Sequence, residues 1–184
     1  MPANCQKNVT EPVWGSSEPE DLSPEQRAWL LHQSSMTIKL KANCSHLSVN
    51  MIEHAWKLPL SSELKTLNWA SDELAFIREA ELKCQGKVWI YARTIVPKPT
   101  FEAHAEAFLG MGDTPLGEYL FAQPDLQRSR FEFAQIQSCH KFYAAATQHL
   151  STKPNAILAR RSLFYLAEHP LLLTELFLPT IPGF

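Results

Sequence analysis

Apolar and polar residues alternate along several segments of the chain, and this period of two predicts β-strands. The alternation is cleanest in ELAFIREAELKC (73–84) and KVWIYARTIVP (87–97), which only Gln85 and Gly86 separate. Such a short polar connection indicates a β-hairpin. The same pattern predicts further strands at residues 46–56, 126–137, 156–169 and 171–179, and it favours the start of another at 36–40.

Helix signals lie between these strands. In LSPEQRAWLLHQ, Ser23 can cap a helix, Pro24 suits its first position and Gln26 completes a capping box. PTFEAHAEAFLGMG predicts a short helix that ends at glycine. TPLGEYLF predicts a second short helix, with Thr114 as its cap and Pro115 at its first position.

The predicted strands follow one another through turns or short helices, without regular alternation of strand and helix. This order favours an α+β fold, with a single antiparallel β-sheet of about six strands and helices on one side or at its rim. The segment KLPLSSELKTLN is predicted to be a polar connector, and residues 139–155 partly helical. We expect one domain over residues 21–184, after an irregular polar leader at residues 1–20.

Composition and charge argue against several classes of partner. The formal net charge of −2 provides no basic surface for nucleic acid. No apolar run approaches the ~20 residues of a membrane span, and MPANCQKNVTEP lacks the apolar core of a signal peptide. Four scattered cysteines without C-x-x-C spacing favour reduced thiols, and the histidines show no metal-ligand spacing. We therefore expect a cytoplasmic monomer with no nucleic-acid partner, membrane span or metal.

Two charged residues lie where the pattern predicts burial. Arg78 is the one charge on an otherwise apolar strand face, and Glu175 interrupts LLLTELFLP, which is apolar on both faces. A buried, unpaired carboxylate costs several kcal/mol. Either Arg78 and Glu175 form a buried salt bridge, or both line an enclosed cavity and bind a polar ligand from its two ends. Arginine suits a carboxylate because its planar fork donates two parallel hydrogen bonds, and glutamate suits a hydroxyl.

Two further features are compatible with an anionic ligand. The first N–H groups of the TPLGEYLF helix, near Leu116 and Gly117, could receive an anion, although a plain capped helix is the commoner outcome. Arg160 and Arg161 are adjacent in a strand and therefore face opposite ways. One of them, or Arg93 in another strand, could point inward, while a surface ion pair is the alternative for each.

Six segments together resemble the bacterial chorismate pyruvate-lyase family, in the family's order. They are S-M-T (35–37), I-R-E (77–79), R-T-I-V-P (93–97), T-P-L-G-E-Y-L-F (114–121), R-R-S (160–162) and L-L-L-T-E-L-F-L-P (171–179). The resemblance implies a chorismate-lyase-like domain with helical flaps over an internal cavity. It also implies conversion of chorismate to 4-hydroxybenzoate and pyruvate without metal or cofactor, as the first committed step towards ubiquinone.

The family's pattern assigns roles to residues of this chain. Arg78 and the Leu116 backbone would hold the ring carboxylate, and Glu175 with the Met36 carbonyl would meet the 4-hydroxyl. Catalysis would thus depend on Arg78 and Glu175, and we expect a second cation, Arg93 or Arg161, to assist the enolpyruvyl group. Because 4-hydroxybenzoate keeps both the ring carboxylate and the hydroxyl, strong product inhibition is expected.

Two other functions fit less well. A non-catalytic sensor of small aromatic acids is the main alternative, because a related fold binds effectors in bacterial transcription regulators. Those regulators carry a helix-turn-helix domain upstream, and only about 20 residues precede the first predicted helix here. A carrier of hydrophobic ligands would not need an inward arginine and glutamate.

Overall fold

One open antiparallel sheet organises the computed structural model, which describes residues 9–69 and 72–184. Within that range its strands are β1 (Leu47–Lys57), β2 (Ala75–Cys84), β3 (Lys87–Val96), β4 (Gln127–Arg128), β5 (Glu132–Gln137), β6 (Ala156–Leu166) and β7 (His169–Phe177). They run in the order β1-β2-β3-β7-β6-β4, and β5 also pairs with β6. The predicted α+β class with a single antiparallel sheet is confirmed, with seven strands instead of about six.

The helices of the described residues are all short. They are α1 (Pro24–Leu30), α2 (Met36–Asn43), α3 (Ser61–Leu67), α4 (Lys98–Ala103), α5 (Ala105–Gly110), α6 (Leu116–Phe121) and α7 (Lys141–Thr147). The capping box predicted for α1 is present, with Ser23 and Gln26 each accepting the other's backbone N–H. Helices this short are marginal alone, so packing on the sheet must stabilise them.

Both faces of the central strands are covered. On one face, residues of α1 and α2 pack near one end, and residues of α5 and α6 pack near the other. On the opposite face, side chains of α3 and α7 pack against β2, β3 and β7. This double cover explains why LLLTELFLP is apolar on both of its faces.

The predicted β2–β3 hairpin is confirmed. Cys84 pairs with Lys87, and the two residues between them, Gln85 and Gly86, have φ angles of +48° and +80°. Positive φ at both central positions matches the type I′ turn, whose twist suits the flanking strands.

Several local predictions were wrong, two of them because nearby polar side chains stabilise the starts of helices. Residues 36–40 begin helix α2, because the Ser35 hydroxyl accepts a hydrogen bond from the Ile38 N–H at 3.4 Å. The predicted connector contains α3, whose first N–H groups donate to Glu11 at 2.8 and 3.0 Å. Helix α6 is preceded by Pro115 as its N-cap, so Thr114 is not the cap. The predicted strand 126–137 is divided into β4 and β5.

A disulfide contradicts the expectation of reduced thiols. Cys44 and Cys84 are bonded across 40 positions of sequence, with their Cα atoms 5.7 Å apart. Cys44 ends α2 and Cys84 ends β2, so the bond ties a helix over the sheet to the sheet itself. Cys139 is disulfide-bonded as well. Sequence spacing missed the pair because the antiparallel return of β1 alongside β2 brings the two cysteines together.

Neither a membrane helix nor a metal centre emerges from residues 9–69 and 72–184. No helix there is long and apolar enough to cross a bilayer. No group of three or more histidine, cysteine, aspartate or glutamate side chains is placed to hold a metal ion.

Candidate functional site

A cavity lies between one face of the sheet and helices α2 and α6, and both residues singled out by strand alternation line it. Its charged lining residues are Arg78, Arg128, Arg160 and Glu175. The remaining lining is mostly apolar, with Ser34, Met36, Thr37, Val49, Leu82, Ala92, Thr94, Pro115, Leu116, Gly117, Leu120, Phe121, Phe164 and Leu173. A mainly apolar cavity with a few convergent polar groups is typical of a small-molecule site.

Arg78 lies at one end of this cavity and is held by backbone carbonyls. Its side chain leaves β2, and Nη2 donates to the carbonyl oxygens of Thr114 at 3.0 Å and Gly112 at 3.3 Å. Burial lowers the pKa of Arg78, and the Asp113 carboxylate partly offsets that effect. The contacts orient the guanidinium beside the start of α6, while Nε and Nη1 make no hydrogen bond within the described range.

Glu175 lies on β7 and is paired with Arg160, so the proposed Arg78–Glu175 salt bridge is wrong. The Arg160 Nε donates to Glu175 Oε2 at 2.6 Å, and the two residues are cross-strand partners on β6 and β7. Arg78 is separated from Glu175 by strand β3. The distance across two strand spacings is about 10 Å, with two further residues of offset along the strands. The second interpretation of the sequence, in which both residues line a cavity, is the one the structure supports.

The charged residues of the cavity lining do not balance. The structure places three guanidinium groups there and a single carboxylate, that of Glu175. Arginine stays protonated at ordinary pH, so the lining carries an excess of positive charge. Uncompensated buried charge is costly, and an anionic ligand would relieve that cost.

Helices α2 and α6 close the cavity over the sheet and touch each other closely. A Cβ atom added to Gly117 would lie only 2.6 Å from Thr37 Oγ1, so glycine permits the approach. The space open to the centre of a water molecule is about 40 Å³. That is room for a few waters, so a ring-sized ligand requires outward movement of the covering helices.

Comparison with known proteins identifies the family of this chain. The family model described as chorismate lyase matches residues 8–183. A Nitrosospira multiformis protein named as a probable chorismate pyruvate-lyase is 32% identical over 164 residues, covering 89% of this chain and 91% of that protein. A Pectobacterium atrosepticum protein named chorismate pyruvate-lyase is 34% identical over 167 residues, covering 90% and 84% respectively. The chain belongs to the chorismate lyase family.

Solved structures show that the fold of this chorismate lyase family member also occurs in transcription regulators. The effector domain of PhnF from Mycobacterium smegmatis has a TM-score of 0.57 at 12% identity, covering 80% of this chain and 90% of that one. A GntR-family regulator from Bacillus cereus has a TM-score of 0.55 at 11% identity, covering 75% and 95%. At such low identity the likeness extends to the fold alone.

The residues that the family pattern predicts for the ring ligand come together in this member. Met36, Arg78, Leu116 and Glu175 all line the same cavity, although they belong to α2, β2, α6 and β7. The first N–H groups of α6 have no partner within the helix, so the Leu116 amide is open to an acceptor. Their roles towards chorismate stay predictions.

The two candidates for a second cation do not line the cavity of this family member. Arg93 lies on the opposite face of the sheet, where it donates to Glu63 at 2.7 and 3.0 Å and to Glu79 at 2.5 Å. Arg161 also lies there and donates to Glu132 at 2.7 Å. Adjacent residues of β6 point to opposite faces of the sheet. Because Arg160 points into the cavity, Arg161 points away from it.

Sequence reasoning left Arg160 undecided and missed Arg128. A short turn after Leu166 places Arg160 opposite Glu175, so the hairpin register could have revealed their pairing. Arg128 lies on β4, which has only two residues and no alternation to interpret. Its place beside Glu175 depends on β4 pairing with the edge of β6.

Proposed function

We propose that this protein converts chorismate to 4-hydroxybenzoate and pyruvate. Membership of the chorismate lyase family makes it a lyase. The observation that supports the substrate is the cavity, where three arginines and one glutamate line an otherwise apolar space. Chorismate is a dianion with a hydroxyl group, and both its charge and its ring suit such a lining.

We assign the two ends of the cavity to the two ends of the ring. The Arg78 guanidinium and the Leu116 N–H hold the ring carboxylate, because both are donors near the start of α6. At the other end Glu175 accepts a hydrogen bond from the 4-hydroxyl, and the Met36 carbonyl oxygen is a second acceptor near that hydroxyl. The two-strand separation of Arg78 and Glu175 suits the span of a six-membered ring that carries a carboxylate and a hydroxyl at opposite ends, once the covering helices have moved outward.

The reaction is an elimination that the binding site promotes by orientation. The bond between C3 and the ether oxygen breaks, the C4 hydrogen leaves, and the ring becomes aromatic. Passage of that hydrogen to the methylene carbon of the enolpyruvyl group yields pyruvate and balances all atoms. The site must therefore hold the diaxial conformer in which these atoms are close, and must stabilise charge as the ether bond breaks.

The proposal places this reaction as the first committed step towards ubiquinone, as the family resemblance implies. It also predicts product inhibition, because 4-hydroxybenzoate retains the carboxylate and hydroxyl that Arg78 and Glu175 would hold. The covering helices must open before the product can leave, so release should be slow.

We also propose a cytoplasmic location. Reducing compartments rarely preserve disulfides, so this location requires the Cys44–Cys84 bond to be open inside the cell. Alkylation of free thiols in intact cells, followed by mass spectrometry, would test it. We expect Cys44 and Cys84 to be reduced in growing cells and oxidised after purification in air. Protection of both cysteines from alkylation inside the cell would contradict a cytoplasmic location.

The direct test is to incubate the purified protein with chorismate and no added metal. We expect 4-hydroxybenzoate and pyruvate in equal amounts, above the rate of spontaneous decay. Arg78→Ala should abolish most of this activity, while Arg27→Ala, which removes an exposed arginine, should leave it unchanged. If the protein binds 4-hydroxybenzoate but forms no product, it is a sensor and the proposal fails.

A further inference from the structure

Arg128 reaches the cavity at the end occupied by Glu175, and the surrounding contacts fix its position. Its Nε donates to Ser162 Oγ at 2.8 Å and its Nη1 to the Gln33 carbonyl at 3.3 Å. The guanidinium also stacks on the rings of Phe131 and Phe164, at 4.1 and 4.7 Å. A planar group held on two aromatic faces is preorganised.

One nitrogen of Arg128 is left without a hydrogen bond. Its Nη2 lies 3.9 Å from Glu175 Oε2, beyond hydrogen-bonding distance, and no other residue in the described range accepts from it. The pKa of Arg128 is lowered to about 10, chiefly by burial; Glu175 opposes this shift, and Arg160 adds a smaller lowering contribution. The neighbourhood of Arg128 is thus short of negative charge.

Arg160 has a similar unused donor. Its Nε donates to Glu175, and its Nη1 donates to the carbonyl oxygens of Leu30 at 3.0 Å and His32 at 2.7 Å. Its Nη2 is buried and has no hydrogen-bond partner among residues 9–69 and 72–184, and the side chain is only 1% exposed. Leaving such a charged donor buried and unsatisfied is costly unless a ligand completes it.

The chemistry of the proposed substrate identifies what these donors could receive. In chorismate the enolpyruvyl group is attached to the ring carbon next to the one that carries the hydroxyl. If Glu175 holds that hydroxyl, the enolpyruvyl carboxylate must lie within a few ångströms of Glu175. Arg128 and Arg160 are the cationic side chains of the cavity lining at this end.

We propose that Arg128, with Arg160 beside it, binds the enolpyruvyl carboxylate and so distinguishes chorismate from its product. This inference rests on the proposed lyase function and deepens it. One carboxylate oxygen accepts from each free guanidinium nitrogen, and the substrate's second charge completes the charge balance of the cavity. After elimination this carboxylate leaves with pyruvate, so 4-hydroxybenzoate retains only the contacts at Arg78 and Glu175.

The test compares ligands that differ in the second carboxylate. We would measure kcat and KM for chorismate, and the Kd of 4-hydroxybenzoate, in Arg128→Gln and Arg128→Lys. A stable probe, 4-hydroxybenzoate with a carboxymethoxy group at ring carbon 3, supplies the second carboxylate without turnover. Calorimetry with this probe gives a readout that does not depend on catalysis.

In Arg128→Gln we expect kcat/KM for chorismate and affinity for the probe to fall roughly 10- to 100-fold. The Kd of 4-hydroxybenzoate should change less than about threefold, since no contact to it is lost. Arg128→Lys should be intermediate, because lysine keeps the charge but lacks the fork. Arg78→Gln should weaken the binding of all three ligands. Arg130→Gln, which changes an exposed arginine between β4 and β5, should weaken none.

Three outcomes would decide the matter. Equal losses of affinity for the probe and for 4-hydroxybenzoate, with a lower urea midpoint, would show that Arg128 has only a structural role in the cavity lining. That result would overturn the inference. Normal chorismate kinetics in Arg128→Gln would overturn it too, while leaving the lyase function intact. Absence of turnover in the unmodified protein would instead refute the proposed function.

Discussion

Glu175 compensates only part of the positive charge around it, and this determines what its removal should do. It accepts a hydrogen bond from Arg160 at 2.6 Å, while the Arg128 Nη2 lies 3.9 Å away and makes no hydrogen bond to it. The carboxylate therefore stabilises buried arginines in the free protein and is also placed to meet a ligand hydroxyl. Both roles predict a loss on substitution, so stability alone cannot distinguish them.

Glu175→Gln should reduce the free energy of unfolding by about 3 kcal/mol, because it leaves the buried Arg160 charge unpaired. The same substitution should also reduce the ratio of the affinity for 4-hydroxybenzoate to the affinity for benzoate, because these two acids differ only in the hydroxyl. Urea denaturation and calorimetric titration with the two acids measure these effects. Glu132→Gln, which breaks an arginine pair outside the cavity, is the control and should leave the preference intact. A Glu175→Gln variant with normal preference would make Glu175 purely structural.

Glu81 shows how strand alternation alone misjudged exposure. Alternation puts Glu81 on the same strand face as Glu79 and Lys83, a polar pattern that favours exposure to solvent, yet its side chain is fully buried. It accepts from Asn50 at 3.0 Å and lies 3.0 Å from Lys83 and 2.9 Å from His149. Burial by itself raises the pKa of Glu81, but hydrogen bonds from Lys83 and Asn50 outweigh it and lower the pKa below 4.5.

Because the pKa of Glu81 is lower in the folded protein than in the unfolded one, Glu81 stabilises the fold at pH values above its unfolded pKa. That stability is lost as the pH falls through the folded pKa. Glu81→Gln should reduce the free energy of unfolding at pH 7 by about 1–3 kcal/mol and should flatten its fall towards acid. Urea titrations across this pH range measure both effects. Glu118→Gln, which breaks an exposed pair with Lys41, should change neither.

At the scale of elements, the site depends on how two short helices meet above the sheet. Helices α2 and α6 supply Met36, Thr37, Leu116 and Gly117 to the cavity lining. Where it is formed, the Cys44–Cys84 disulfide ties the far end of α2 to β2, while the start of α2 has no such covalent tie to the sheet. Opening of the cavity is therefore expected to involve the start of α2 and the adjacent α6.

Gly117→Ala should force these helices apart, because the new Cβ would lie 2.6 Å from Thr37 Oγ1. We expect a loss of about 1–3 kcal/mol in stability, together with weaker binding of 4-hydroxybenzoate. Thr37→Ala in the same chain removes the opposing atom and should restore much of both. Gly110→Ala is the control, since nothing lies within 4 Å of its added Cβ. No rescue by Thr37→Ala would mean that the closeness of α2 and α6 is not the cause.

At the scale of the whole molecule, the sheet and its cover form an enclosed site. The same fold occurs in the effector domain of PhnF and in a GntR-family transcriptional regulator, so the fold alone does not determine the function. In this chain the cavity of that fold has a charged lining of Arg78, Arg128, Arg160 and Glu175. A tight, enclosed site also binds product well, which shifts the slow step from chemistry to release.

Turnover should accordingly be limited by release of 4-hydroxybenzoate. In rapid-quench experiments we expect a burst of about one product per protein, followed by a slower steady rate. The inhibition constant of 4-hydroxybenzoate should not lie far above the KM for chorismate, and Gly117→Ala should raise both that constant and the ratio of steady to burst rate. A linear time course from the first turnover would place the slow step at or before chemistry.

The amino-acid pattern determined much of this protein because the relevant information was local. Alternation predicted most strands and turned Arg78 and Glu175 inward, and a two-residue connection specified the β2–β3 hairpin. The succession of predicted strands and short helices predicted the fold class, and the short family motifs implied the cavity. Each of these signals depends on residues near one another in sequence.

Only the tertiary structure decided which distant groups meet. The pairing of Glu175 with Arg160, the arrival of Arg128 beside them and the Cys44–Cys84 bond all depend on strand register and on the path of the connecting loops. Helix α2 forms where a strand was expected because the Ser35 cap and the burial of Met36 and Leu40 outweigh a weak preference of the segment for strand. A side-chain period tells which face a residue takes, but the neighbour on that face is set by chain segments far away in sequence.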